Sequence, residues 1–226
     1  MTQSTEPTSD PFASVLAELR APIVAIQGNV RSLMARDDDM TTDARQQLHQ
    51  QVLQHSQRLD TLVDDIVLYL RLLVGPVELS PEPVNVHDVV EELKERLGEP
   101  ERVTNRVPKQ FVLNIDRYAL GGALRHLLRN ALVYGARERA VVVGVRRVDG
   151  ALELTVTDEG FGIPEAGRVR AFEPFVRAVH PDEKRNSGAG LGLTVCRELV
   201  RLLGGDVELR PNAPGLSATI VLPGQS

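Results

Sequence analysis

The sequence predicts two domains: an all-α helical hairpin that pairs with a second copy into a four-helix bundle, followed by an α+β sandwich. Three observations predict it. Phe12, Leu16, Leu19, Ile23, Ile26, Val30 and Leu33 recur at alternating steps of four and three, the seam of a packed helix. After the polar loop ARDDDMTTD a second seam follows in Leu48, Val52, His55, Leu59, Leu62, Ile66, Tyr69 and Leu73. Further on, segments of helical and strand period alternate, and the dipeptide Asp149-Gly150 joins two of them as a hairpin turn.

Each element is justified in turn. Residues 1–10, rich in Ser, Thr, Pro and Asp, are expected to fray. Residues 11–76 form the hairpin, with Thr42 or Asp43 capping its second helix. A lone hairpin has too little partner surface to bury both seams, so a homodimer is expected. Pro22 removes a backbone hydrogen bond and should kink the first helix just after Ala17 and Glu18. The stretch VGPVELSPEPVN, with three prolines, cannot be continuous helix and marks a linker at 77–84. Within 85–226 the pattern predicts helices at 87–97, 117–134 and 191–203. It predicts strands at Phe111–Ile115, 139–147, 151–157, 205–210 and 216–222, making a mixed sheet covered by helices.

Bulk properties narrow the function. A chain of 226 residues allows one or two domains with real cores. A formal net charge of −5 gives no electrostatic reason to expect nucleic acid or an anionic membrane surface. Apolar runs fall short of the roughly 20 residues needed to span a bilayer, so no membrane insertion is expected. The polar start MTQSTEPTSDPF is unlike a signal peptide, and the single cysteine, Cys196, rules out an internal disulfide. A cytoplasmic location is expected.

Four segments of the second domain carry chemistry: HLLRNALVYG at 126–135, DEGFGIP at 158–164, FEPFVRA at 172–178 and GAGLGL at 188–193. Asp158 ends an apolar strand, where its carboxylate can accept a hydrogen bond from an exocyclic amine. Gly160 and Gly162 allow close approach to a flat ring. Asn130 offers an amide oxygen suited to a Mg²⁺ that also holds phosphate oxygens and water. Gly188, Gly190 and Gly192 precede a helix whose free N–H groups favour phosphate.

These segments resemble the ATP-binding domain shared by histidine kinases, gyrase, Hsp90 and MutL, the GHKL type. The hairpin selects histidine kinases, because LAELRAPIVAIQG at 16–28 is similar to their first-helix motif, S-H-E-L-R-T-P-L-x-x-I-x-G. The resemblance implies ATP and Mg²⁺ as cofactors, with Asn130 ligating Mg²⁺ and Asp158 reading adenine. It further implies that Gly160, Gly162, Gly188, Gly190, Leu191 and Gly192 shape the pocket and lid. Tyr134 and Arg177 would contribute to nucleotide binding, and residues 176–187 would form the lid. The closing GLSATIVLP, residues 215–223, resembles the family's last strand, with Ser217 where a hydroxyl supports Asp158.

Three departures stand against the family pattern. Ala17 occupies the position of the histidine that takes the γ-phosphoryl group, and a methyl group is no nucleophile. Glu18, the expected base, is left without its client. His126 replaces an Asn or carboxylate four residues before Asn130, a catalytic position, and Val133 replaces a Lys three residues after it. Ala21, where a phosphatase Thr often stands, carries little weight. His49 and His55 are weak substitutes as acceptors, being a solvated residue and a seam residue respectively. His180 and Cys196 read as an exposed loop residue and a core residue. The expected function is therefore an ATP-binding core of two-component signal transduction, unable to autophosphorylate at Ala17. The alternative is a pseudokinase or adaptor dimer that docks a response regulator or a partner kinase under ATP control.

Overall fold

The computed structural model describes residues 11–35, 40–75, 77–176 and 190–224. The chain divides into two compact units, 1–68 and 69–226, each described by itself below.

In the first unit, α1 spans Pro11–Ala35 and continues through Pro22, while α2 spans Thr42–Val74. The expected seam of α1 splits into two lines. Leu19, Ile26 and Leu33 are half-buried, whereas Leu16, Ile23 and Val30 are exposed. On α2, Leu62 and Leu68 are buried, and Leu59 and Ile66 are half-buried. A second apolar line on α2, through Leu53, Val63 and Val67, is exposed and lay outside the expected seam. The Arg58 guanidinium donates to the Glu18 carboxylate at 3.1 Å, joining the two helices. Among the described residues, no helix is long and apolar enough to cross a membrane.

The second unit is an α/β sandwich. Its main sheet has the order β2-β4-β5-β7-β6, formed by Val103–Asn105, Val141–Val148, Ala151–Asp158, Leu216–Leu222 and Asp206–Pro211. Only β2 and β4 run parallel; the other neighbours are antiparallel. A separate antiparallel pair joins β1, Pro81–Asn85, to β3, Val112–Asp116. The strand β1 falls within the proline-containing stretch. Its partner β3 is its only one in a two-stranded ribbon, so Pro81 and Pro83 sit where a missing N–H is tolerated.

Period-two patterning decides which sheet face is covered. Leu152, Leu154 and Val156 of β5 share the inner face with Ala218, Ile220 and Leu222 of β7, all buried. Two helices cover them, α4 at Arg117–Tyr134 and α6 at Gly192–Leu202, with the single-turn α5 at Glu165–Arg168 between them in the chain. Leu120, Leu124, Leu127 and Leu128 of α4 and Val195, Cys196, Leu199 and Val200 of α6 are sealed from water. The outer face carries Glu153, Thr155 and Thr157 against Val221, Thr219 and Ser217. Thr155 and Thr219 hydroxyls meet at 3.2 Å, and Thr157 and Ser217 at 3.0 Å. Glu153 is held between Arg210 and Arg146, which keep its carboxyl below its ordinary range.

Helix α3, Val86–Arg96, starts on an Asn85 cap whose side chain accepts from the His87 N–H at 3.1 Å. Helix α4 starts on Asp116, whose Oδ1 accepts from the Ala119 N–H at 2.8 Å and Oδ2 from the Ser80 N–H at 2.9 Å. Asp116→Ala leaves two backbone donors without these acceptors. It is expected to lower stability by about 1–2 kcal/mol, read from the urea midpoint.

Candidate functional site

The end of β5, the C-terminus of α4 and the start of α6 converge in the second unit. Asp158 closes β5 on its inner face and is 8% exposed. Its Oδ1 accepts from the Gly160 N–H at 2.8 Å, and the Leu216 N–H donates to the same carboxylate. Burial raises the Asp158 pKa above its ordinary 3.8, and those two N–H groups only partly offset the rise. A carboxylate offers about four lone-pair sites, more than these two backbone donors fill.

The chain must pass very close to itself around this carboxylate. A side chain on Gly160 would overlap the Tyr134 carbonyl oxygen and come within 2.9 Å of the Gly135 Cα. One on Gly215, at φ +110, would overlap the Asp158 carbonyl oxygen. That carbonyl also accepts from the Asn212 amide at 3.1 Å. The glycines therefore let the α4 terminus and the β6–β7 turn close on either side of Asp158. Gly162, at φ +66, packs against the Gly215 carbonyl in the same knot.

The second half of the site lies at the first turn of α6. From the Cβ position of Gly192, His126 Nδ1 is 3.5 Å away, Arg129 Nη2 3.7 Å and Asn130 Oδ1 3.8 Å. Leu191 is buried against the core, 1% exposed, and anchors that turn. Gly190, at φ +68, accepts from the Phe175 N–H at 3.0 Å, which joins the two chain ends flanking 177–189. Thr194 donates to the Phe172 carbonyl at 3.0 Å, and Arg197 stacks over the Phe172 ring at 4.7 Å. FEPF is thereby pinned to α6. Phe172, Thr194 and Arg197 were not among the expected site residues.

His126, on the face of α4 that meets α6, is 1% exposed. Burial first, then the charges of Arg125 and Arg129, hold its pKa well below its ordinary 6.5. The unfolded chain therefore takes up a proton near pH 6.5 that the folded chain refuses. Stability is fully present above that pH and is lost as pH falls from there toward the folded value. Urea unfolding is expected to lose about 1.4 kcal/mol per pH unit over that window, and His126→Leu to remove the slope.

The expected residues are thus partly brought together. Asp158 and Gly160 meet the end of α4 at Tyr134, with Gly162 packed on the Gly215 carbonyl beside them. Asn130 meets Gly192 one turn back along α4, beside Gly190 and the buried Leu191. Arg177, Gly188, His180 and nearly all of the expected lid lie outside the described residues, as do the 1–10 segment and Asp37–Asp39. Ser217 is a correction. The register sets Leu216, not Ser217, opposite Asp158, and strand alternation turns the Ser217 hydroxyl to the outer face, where it meets Thr157. The backbone N–H of Leu216 supplies the support expected of that hydroxyl. Ala17 is exposed on α1, and Glu18 is paired with Arg58 rather than idle.

The donor chemistry of Asp158 and Asn130 suits a nucleotide with magnesium: an acceptor for an exocyclic amine and one amide oxygen for the ion. Asn130 brings one amide oxygen to a turn stripped of side chain at Gly192, and a Mg²⁺ held there would take its other ligands from phosphate and water. Among the described residues no group of three or more His, Cys, Asp or Glu could hold a metal alone.

A family model described as "Histidine kinase-, DNA gyrase B-, and HSP90-like ATPase" matches residues 115–226. The chain is 32% identical over 225 residues to the signal transduction histidine-protein kinase/phosphatase MprB of Mycolicibacterium smegmatis, covering 92% of this chain and 44% of that one. It is 30% identical to the solved mycobacterial sensor histidine kinase MprB, with TM-score 0.55, covering 65% of this chain and 99% of that one. At 18% identity and TM-score 0.68, the fold also matches histidine kinase ThkA in complex with response regulator TrrA, over 95% of this chain and 61% of that one. The chain spans between 34% and 56% of the length of the curated relatives it matches.

Proposed function

The chain belongs to the sensor histidine kinases, and from that premise we propose that it binds MgATP and forms a homodimer that cannot autophosphorylate at the usual helix position. The observation that carries the nucleotide reading is Asp158. Its buried carboxylate, fixed by the Gly160 and Leu216 N–H groups, sits where glycines let the end of α4 and the β6–β7 turn close around it without side chains. The exocyclic amine of adenine is the donor such an acceptor selects. Tyr134, Gly162 and Gly190 frame the ring and sugar side, and Asn130 beside Gly192 lies toward the phosphates. Magnesium held there would neutralise phosphate charge and orient the γ-phosphoryl group.

The reaction class is phosphoryl transfer from ATP to a histidine and onward to a response-regulator aspartate. In this chain the acceptor position is Ala17, so the first transfer has no imidazole to receive it. Glu18, the adjacent acid, is engaged by Arg58 at 3.1 Å instead of facing a histidine. That ion pair favours the second reading, a dimeric adaptor in which ATP sets conformation and the hairpin docks a response regulator or a partner kinase.

The exposed apolar lines Leu16, Ile23 and Val30 on α1 and Leu53, Val63 and Val67 on α2 support the dimer. Light scattering is expected to give twice the chain mass, and Ile23→Glu with Val67→Glu the single mass. A monomeric parent would sink the bundle. Calorimetric titration with MgATP tests the nucleotide half, and absence of heat at millimolar ligand would sink that half.

A further inference from the structure

Arg129 is the residue on which we draw a further inference, one that rests on the nucleotide reading above: we propose that its guanidinium is the cation on α4 that grips the phosphates of the nucleotide. The placement carries it. Residues 126, 129 and 130 rise along one side of α4, and their polar ends meet at a single point, the first turn of α6. Arg129 Nη2 stands 3.7 Å and Asn130 Oδ1 3.8 Å from the Cβ position of Gly192. The glycine leaves that space empty of side chain, and the opening turn of α6 directs backbone N–H groups toward it. A guanidinium beside an amide oxygen and free N–H groups is an anion-binding arrangement. A planar fork of donors suits two phosphate oxygens at once.

Position 133 explains why this falls to Arg129. Val133, three residues past Asn130 and one turn past Arg129, offers no charge. Helical side chains lean toward the N-terminus, so a long cation at 133 would lie over the turn of 129 and 130. Arg129 delivers its charge to that turn from within it. Its half-buried setting lets the aliphatic stem pack while the head reaches the first turn of α6.

The test is calorimetric binding of ATP, ADP and adenosine, with Mg²⁺, to the parent chain and to Arg129→Gln, Arg129→Lys and Asp158→Asn. Arg129→Gln is expected to weaken ATP and ADP about tenfold or more while adenosine holds, the loss of one charge-assisted contact. Arg129→Lys is expected to recover part of the loss, and adding Val133→Lys to Arg129→Gln to recover part as well. An ATP affinity for Arg129→Gln within twofold of the parent would overturn the assignment. So would a parallel fall in adenosine affinity, which marks a merely structural role. A parent that binds ATP and adenosine no better than Asp158→Asn would overturn the nucleotide reading itself, and the Arg129 assignment with it.

Discussion

Ala17→His is expected to turn a chain that takes no label from γ-labelled ATP into one that gains acid-labile, base-stable label on α1. The parent offers a methyl group at 17, and no rearrangement makes carbon-bound hydrogen a nucleophile at neutral pH. An imidazole there would project from an exposed helix position, next to Glu18. Glu18 can orient an imidazole and accept its proton only after exchanging its Arg58 partner, which lies 3.1 Å away. Arg58 is 39% exposed at its side chain and Glu18 only 13%, so the exchange breaks a part-buried pair, held more firmly than a fully exposed one. The variant is therefore expected to label slowly, and Arg58→Ala added to Ala17→His to label faster. The measurement is filter-bound radiolabel after acid and base washes. Unlabelled Ala17→His protein that still binds ATP would move the adaptor reading ahead of the kinase one.

Asp158→Asn carries the second large effect, a fall in ATP affinity of about a hundredfold. The change keeps size and shape but exchanges an acceptor-only group for one whose NH₂ meets the donor of adenine. Losing a charged hydrogen bond and facing two donors together accounts for roughly 2–3 kcal/mol, and each 1.4 kcal/mol is tenfold. The same substitution is expected to leave folding stability unchanged or slightly higher. Burial raises the Asp158 pKa, so at neutral pH its charge opposes folding, and removing that charge relieves the opposition. By the same sign, ATP affinity is expected to fall as pH drops through the raised pKa, because the protonated carboxyl presents a donor. Titration calorimetry and thermal melting together check the pair of outcomes. A joint loss of affinity and stability would show Asp158 to be structural.

Much of this was legible from residue order. The span 117–134 coincides with α4 because Asp116 is a capping residue and Gly135 closes a continuous apolar period. Asp149, at φ 50, and Gly150, at φ 80, form the turn their dipeptide signals. What escaped was long-range or short. Strand β2 has three residues, too few for alternation to declare itself, and β1 carries prolines that read as a break. Ser217 failed by one residue of strand register, the smallest slip that reverses a face. Arg58 lies forty positions from Glu18, and nothing local marks the pair. The convergence of Arg129 with Gly192 likewise depends on how α4 packs on α6, which a linear motif does not encode.

The hydroxyl pairs on the outer face of β5 and β7 bear on how large an assembly this chain builds. Thr155 with Thr219 and Thr157 with Ser217 satisfy one another across the strands, and Arg146 and Arg210 flank Glu153 beside them. Such a face has no appetite for a further apolar layer. The rim strand β6 adds Asp206, Glu208 and Arg210, charges that discourage another sheet from docking edge to edge. In the dimer proposed above, this face and this edge therefore add no contact of their own, and the pairing is left to the helical hairpin.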